Sequence, residues 1–246
     1  MKIKGILFDK DGTLIDFYSL WLNIALEVIP EFIKINLIND ENKKIQTDIL
    51  EAIGVKGCKV DPKGGLAYKS YYYIAEDIYN ALLKNDININ KNKIYEQILE
   101  LFNTSATSEG REFKTFTDIK KLMQKLKDLN TFIGLATADT IVSAKICLEK
   151  LGILEYFDFV GGDDGILSPK PETDMFNEFA KITNLKKDEI VIVGDTLCDM
   201  HFSKKCGCRS IGVLSGVSSK NDLKENADYI IPSVAYLIPL IEEISS

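Results

Sequence analysis

Asp9-Lys10-Asp11-Gly12-Thr13 puts two carboxylates one residue apart, directly after an apolar run from Ile3 to Phe8. Packing does not call for two acids there, whereas the end of a buried strand is a rigid and accessible place for chemistry. Three further polar stretches follow apolar runs. They are Thr137-Ala138-Asp139-Thr140 after residues 131–136, Gly194-Asp195-Thr196 with Asp199 after residues 189–193, and Ser168-Pro169-Lys170-Pro171 beyond residues 157–160. Asp9, Asp11, Asp195 and Asp199 gathered in one small volume would repel one another without a cation. An all-oxygen donor set calls for a hard metal. Mg²⁺ suits it, because this ion takes one or two carboxylates, keeps waters and bridges to phosphate. The chemistry these residues fit is phosphoryl transfer. A carboxylate can attack phosphorus to form an aspartyl-phosphate. Lys170 and Thr137 would neutralise and hydrogen-bond the phosphoryl oxygens. A second acid two residues on can protonate a leaving alcohol and then take a proton from water.

For these residues to meet, the runs before them must be parallel strands, since ligands bind outside the carboxyl ends of an open parallel sheet. From Phe113 onward the pattern alternates accordingly. Strands are expected at 131–136, 157–160, 189–193, 209–213 and 228–231. Helices are expected at 119–129, 140–151, 171–182 (Pro171 taking an early position) and near 197–206. A final helix-like segment at 233–244 is interrupted by Pro239. Lys170 lies between two prolines, which hold it in extended backbone. Residues 16–107 read differently, as four amphipathic helical segments with no clear strand. The first, around Trp21 to Ile29, should kink or end at Pro30. The second, Ile45 to Ile53, should close at Gly54. The third runs from Leu66 to Leu83, with Tyr68, Tyr71, Tyr72, Tyr73 and Tyr79 as a packing face, and the fourth from Ile94 to Phe102. The loop 54–65 holds four glycines and a proline together with Lys56, Lys59 and Lys63. It is either a solvated loop or one that meets an anionic substrate. The expected architecture is α/β: a doubly wound, Rossmann-like parallel-sheet core of residues 1–15 and 113–246, with an all-helical insert of residues 16–112 after strand one.

Composition narrows the partners. The chain has 246 residues, 46% of them apolar, enough for a large core. Its 37 acids outnumber its 30 bases, and the only arginines are Arg111 and Arg209. That balance speaks against nucleic acid or an anionic membrane as a partner. Five cysteines, with Cys206-Gly-Cys208 the only close pair, and the single His201 make a zinc site improbable. No run approaches transmembrane length, and the N-terminus does not read as a signal peptide, so a reduced cytoplasmic setting is expected. Cys198 reads as a packing residue, and Glu172 and Asp174 read as helix-start acids. Arg111 reads as either a linker salt bridge or a substrate contact. Oligomeric state has no signature.

The four stretches, in this order, are similar to the ordered motifs of the haloacid dehalogenase superfamily. The helical insert after the first motif resembles the helical-cap subgroup, which includes phosphoglycolate phosphatases and β-phosphoglucomutases. The resemblance implies Asp9 as nucleophile and metal ligand, and Asp11 as general acid and base with its backbone carbonyl on the metal. It further implies Thr137, Lys170 and the backbone N–H of Ala138 as phosphate contacts, and Asp195 and Asp199 as Mg²⁺ ligands, Asp199 directly or through water. Many relatives have Asn in the segment after Thr137, where this chain has Ala138-Asp139. The activity implied is a Mg²⁺-dependent phosphatase of a small phosphorylated metabolite, with Lys56, Lys59, Lys63 and Arg111 as candidates for substrate selection. The alternatives are a phosphomutase using the same residues and a phosphate-sensing or partner-binding module without turnover. The first motif also resembles the Asp-Lys-Thr-Gly-Thr of ion-pumping ATPases, differing only at Asp11, but a chain without membrane spans is no pump.

Overall fold

The computed structural model describes residues 2–245. The chain opens with strand β1 (Gly5–Phe8). A π-helical turn at Tyr18–Leu22 leads into α1 (Asn23–Ile35), followed by α2 (Lys44–Ala52), the short strands β2 (Val55–Lys56) and β3 (Lys59–Val60), and helices α3 (Gly65–Tyr68), α4 (Tyr71–Leu83) and α5 (Lys91–Thr107). Then come α6 (Ile119–Asp128), β4 (Phe132–Ala136), α7 (Ile141–Lys150), β5 (Phe159–Gly161), α8 (Asp174–Thr183), β6 (Ile190–Gly194), α9 (Leu197–Cys206), β7 (Arg209–Val213), α10 (Lys220–Leu223), β8 (Tyr229–Ile231) and α11 (Leu237–Ser245). Two compact units result: residues up to Phe17 with those from Phe113 onward, and Tyr18–Glu112.

In the first unit six strands form one sheet in the order β5-β4-β1-β6-β7-β8, every pair parallel. The chain steps outward from β1 through β4 to β5, then crosses to the other side of β1 with β6. The strand order therefore reverses between β1 and β6, which is where a doubly wound sheet opens a crevice at its carboxyl edge. Leu7, Phe159, Phe176, Phe179, Ile192 and Phe202 pack into a buried cluster under that edge. Ile15 bridges to Thr115, and the Asp16 N–H donates to the Lys114 carbonyl at 2.8 Å, so the outgoing and returning chains are fastened together.

Several local expectations are corrected. Pro171 is not in a helix: α8 begins at Asp174, and residues 168–173 form a turn closed by the Glu172 N–H on the Pro169 carbonyl (3.0 Å) and the Ser168 N–H on the Asp174 carboxylate (3.1 Å). Pro239 is the third residue of α11, in the first turn, where a missing N–H breaks no intrahelical bond. The short α10 was not expected.

In the second unit α1 continues through Pro30. The carbonyl that loses its donor is that of Leu26, a residue on the exposed side, where water can replace it. The expected third helix is two, because Lys69 and Ser70 adopt extended backbone between α3 and α4. The loop 54–65 holds an antiparallel hairpin, with Val55 opposite Val60 and Lys56 opposite Lys59. Two residues per strand are too few for an alternating pattern to register. Trp21, Tyr71 and Phe102 form an aromatic centre, with Trp21 stacked on Phe102 at 6.2 Å and Tyr71 edge-on to Phe102 at 5.8 Å. Tyr72 and Tyr73 are half exposed, with Tyr72 edge-on to Tyr73 and Tyr95, because α4 buries Tyr71, Ile74, Ala75 and Ile78 at helical spacing and these two fall beside that face. No helix among the described residues is long and apolar enough to cross a membrane.

Candidate active site

The register Ile6–Ile133–Val191 through Phe8–Leu135–Val193 aligns the carboxyl ends of β4, β1 and β6. Asp9 leaves β1 with its N–H on the Val193 carbonyl at 2.8 Å. Asp195 follows β6 directly. Thr196 caps α9: its hydroxyl and N–H both donate to Asp199 Oδ2, at 2.6 and 3.0 Å, while the Asp199 N–H returns a bond of 3.3 Å to the hydroxyl. This reciprocal cap fixes Asp199 one helical turn beyond Asp195. Asp9, Asp195 and Asp199 each offer an oxygen within 4.8 Å of the others.

Lys170 enters this cluster from the turn before α8. Its ammonium donates to Asp9 Oδ1 and Asp199 Oδ1, both at 2.6 Å. Burial alone would lower the Lys170 ammonium, but Asp199 and Asp9 outweigh burial and hold it above its ordinary value. The Asp9 carboxyl is pushed up to about 7, chiefly by burial, with Lys170 opposing the rise and Asp199 and Asp11 adding to it. Asp195 is driven well above the carboxylate range by burial, then by Asp9 and Asp199.

Asp195 is enclosed by backbone. Its Oδ2 accepts the Val217 N–H at 2.8 Å, and its Oδ1 is buried without a hydrogen-bond partner among the described residues. A Cβ added at Gly216 would collide with the Asp195 carboxylate, and Gly12, at φ +85°, faces the same group. The Ser215 hydroxyl donates to the Gly12 carbonyl at 2.8 Å, joining the loop after β7 to the turn after β1. One ammonium thus stands against three clustered carboxylates, one of which keeps a buried oxygen unsatisfied. Such an all-oxygen set fits a hard divalent cation.

Thr137 follows β4 directly, buried, with its hydroxyl accepting the Asp139 N–H at 3.1 Å; Ala138 next to it is half-buried. The Asp11 carboxylate is not in the three-acid group. Its Oδ2 faces the ammonium of Lys10 at 3.3 Å. Lys10 and Asp139, to which the sequence assigned no task, are both buried and paired at 2.5 Å. Burial would lower the Lys10 ammonium, but Asp11 and Asp139 hold it above its ordinary value. Only their spacing, next to Asp11 and two residues after Thr137, hinted at them. Burial raises the Cys198 thiol to about 12, as suits a packing residue, and His201 is exposed.

In the helical unit Lys56 and Lys59 lie on the hairpin and Lys63 just after it, all exposed. Arg111 makes a salt bridge within the helical unit. It pairs with Glu27 at 2.7 Å and donates to the Ser105 carbonyl at 3.1 Å, tying the end of α5 to α1.

The family model of the haloacid dehalogenase-like hydrolases matches residues 68–213, more than half of the chain, a span that includes Thr137, Lys170, Asp195 and Asp199 and begins after Asp9. The chain is similar to the phosphoglycolate phosphatase of Shigella dysenteriae, 24% identical, covering 97% of this chain and 92% of that one. It is similar to the glyceraldehyde 3-phosphate phosphatase of Methanocaldococcus jannaschii, 26% identical with 98% of each covered. Among solved structures, that of a predicted phosphatase from Clostridium acetobutylicum superposes with a TM-score of 0.69 at 25% identity, over 99% of this chain and 100% of that one.

Proposed function

This chain belongs to the haloacid dehalogenase-like hydrolases, and on that premise we propose that it is a Mg²⁺-dependent phosphatase of a small phosphorylated metabolite, working through an aspartyl-phosphate on Asp9. The observation that carries the proposal is the Lys170 ammonium 2.6 Å from both Asp9 and Asp199 inside the three-carboxylate cluster. It is a fixed positive charge beside a carboxylate at the switch point of the sheet.

An Asp9 oxygen attacks phosphorus, and the bond from phosphorus to the ester oxygen breaks. Asp11 gives its proton to that oxygen, releasing an alcohol. In the second half, a water gives a proton to Asp11 and its oxygen bonds to phosphorus. The bond to Asp9 then breaks, and inorganic phosphate leaves. Lys170, the Thr137 hydroxyl and the Ala138 N–H hold the phosphoryl oxygens, whose charge must be balanced in the transition state. Thr137 suits this task because it accepts the Asp139 N–H and so keeps its own O–H to donate. Asp9, Asp195 and Asp199, with the backbone carbonyl of Asp11, would hold Mg²⁺, which when bound supplies positive charge to the phosphoryl oxygens. Substrate choice falls to the helical unit, with Lys56, Lys59 and Lys63 as candidates among its exposed cations. The names of the relatives above, phosphatases of small phosphate monoesters, support this substrate class.

A screen of phosphorylated metabolites with and without Mg²⁺ tests the proposal. Phosphate release that needs Mg²⁺ and disappears in Asp9→Asn is expected. A wild type that releases no phosphate from any monoester, p-nitrophenyl phosphate included, would leave the binding-module alternative in its place.

A further inference from the structure

Beside the carboxylate cluster the core unit buries a second set of charges that the proposed chemistry does not use. The side chains of Lys10 and Asp139 are each 1% exposed. The Lys10 ammonium lies 2.5 Å from Asp139 Oδ2 and 3.3 Å from Asp11 Oδ2, so one cation bridges two carboxylates from different loops. An ammonium has three N–H donors and can serve both.

Each end of this bridge is tied to backbone. The Lys10 carbonyl accepts the N–H groups of Leu14 and Ile15, at 2.9 and 3.1 Å, which fixes the turn after β1. Asp139 Oδ1 accepts the Thr140 N–H at 2.8 Å, and the Asp139 N–H donates to the Thr137 hydroxyl at 3.1 Å. The Asp139 carbonyl accepts the Asp163 N–H at 2.8 Å. Asp139 is therefore a rigid anchor in the loop after β4, and Lys10 carries that rigidity to Asp11. The Asp11 side chain itself remains partly exposed, at 15%. A buried ion pair is a poor device for stability alone, since well-packed apolar side chains in the same space usually serve as well.

We propose that Lys10 is a positioning residue, whose ammonium, anchored on Asp139, holds the Asp11 carboxylate where it gives and takes the proton. This rests on the reading of Asp11 as the proton-transfer acid. Lys10 does not touch the substrate; it narrows the orientations of the group that does. It also couples that group to Thr137, so proton transfer and phosphate binding share one frame. Misplacing a reacting group by about an ångström can cost a hundredfold in rate. With p-nitrophenyl phosphate the leaving group needs little protonation, whereas the attacking water still needs Asp11. The loss therefore falls on the second half of the reaction, and phosphoenzyme builds up.

Three variants of the full chain, assayed with Mg²⁺ and p-nitrophenyl phosphate, test this: Lys10→Met, Lys10→Met with Asp139→Leu, and Asp139→Asn. For each one, kcat, KM, the steady-state phosphoenzyme fraction after acid quenching and the thermal midpoint are measured. Lys10→Met strands a buried carboxylate and is expected to lose stability; the double variant removes both charges and is expected to restore the midpoint. In the double variant kcat should still fall about 10- to 100-fold with KM little changed, and the phosphoenzyme fraction should rise. Asp139→Asn should show the same pattern more weakly, and it decides the matter if both lysine variants fail to fold. A double variant with restored stability and wild-type kcat, or an Asp139→Asn enzyme with an unchanged phosphoenzyme fraction, overturns the proposal. Asp11→Asn run in parallel separates the two readings. If it is impaired while the Lys10 and Asp139 variants are normal, only the positioning role fails; if it turns over normally, the role given to Asp11 fails and this one with it.

Discussion

Asp9 and Asp11 are two residues apart and occupy different surroundings. Asp9 belongs to the group with Asp195 and Asp199 and receives Lys170, while the Asp11 carboxylate faces Lys10. On the proposed reading, these different neighbours assign two identical groups two tasks, one nucleophilic and one of proton transfer. Asp11→Asn keeps the shape but cannot take a proton. It should lower kcat by about 10²- to 10⁴-fold, the usual worth of a general acid–base group, while still becoming phosphorylated on Asp9 when offered p-nitrophenyl phosphate. Steady-state kinetics with acid quenching reads both quantities, and an Asp11→Asn enzyme that hydrolyses at the wild-type rate contradicts the assignment. Asp9, Asp11, Lys170, Asp195 and Asp199 were legible in the sequence because each sits in a short polar stretch just after an apolar run. Lys10 and Asp139 were not, because charged residues are read as solvated unless something marks them as buried. That mark is the pairing itself, which exists only once β1 and β4 lie side by side.

Among the elements, the loop after β7 reaches into the site. Gly216 lets the backbone pass against Asp195, the Val217 N–H binds its carboxylate, and Ser215 fastens the Gly12 turn. Gly216→Ala would put a methyl group where the carboxylate is. If Asp195 helps to hold Mg²⁺, added Mg²⁺ should raise the thermal midpoint of the wild type through mass action on the folded state. That rise should be largely lost in Gly216→Ala and in Asp195→Asn; thermal unfolding across a Mg²⁺ series measures it without reference to turnover. A full Mg²⁺-dependent shift in both variants would remove Asp195 from the metal site. The strands of the sheet were readable from their apolar runs, strongly β-branched only in β6, and each fell within two residues of its expected place. The turn carrying Lys170 and the hairpin β2–β3 were less so. The first looked like a helix start because Pro171 is compatible with one, and the second is too short to show a period.

For the molecule as a whole, the order of elements contains the plan. One strand with its acids, then a helical unit, then alternating helices and strands yields a sheet whose switch point lies between β1 and β6. Substrate choice, proposed for the helical unit, is the part carried least by that plan, since the exposed Lys56 and Lys59 belong to a hairpin with no signature of its own and Lys63 follows it. Changing all three to Glu should raise KM for the preferred metabolite about tenfold or more with kcat kept, the pattern of lost uniform binding, and should leave the thermal midpoint unaltered because none is buried. An unchanged KM would move selection elsewhere in the helical unit.

The central claim, that Asp9 carries the phosphoryl group, is tested most directly by where phosphate resides during turnover. Wild-type enzyme and Asp11→Asn are mixed with Mg²⁺ and p-nitrophenyl phosphate, quenched in acid within the first turnovers, digested, and mapped by mass spectrometry. A phosphorylated peptide containing Asp9 is expected, more abundant in Asp11→Asn and missing in Asp9→Asn. A phosphoryl group found on another residue, or steady phosphate release by Asp9→Asn, would contradict it.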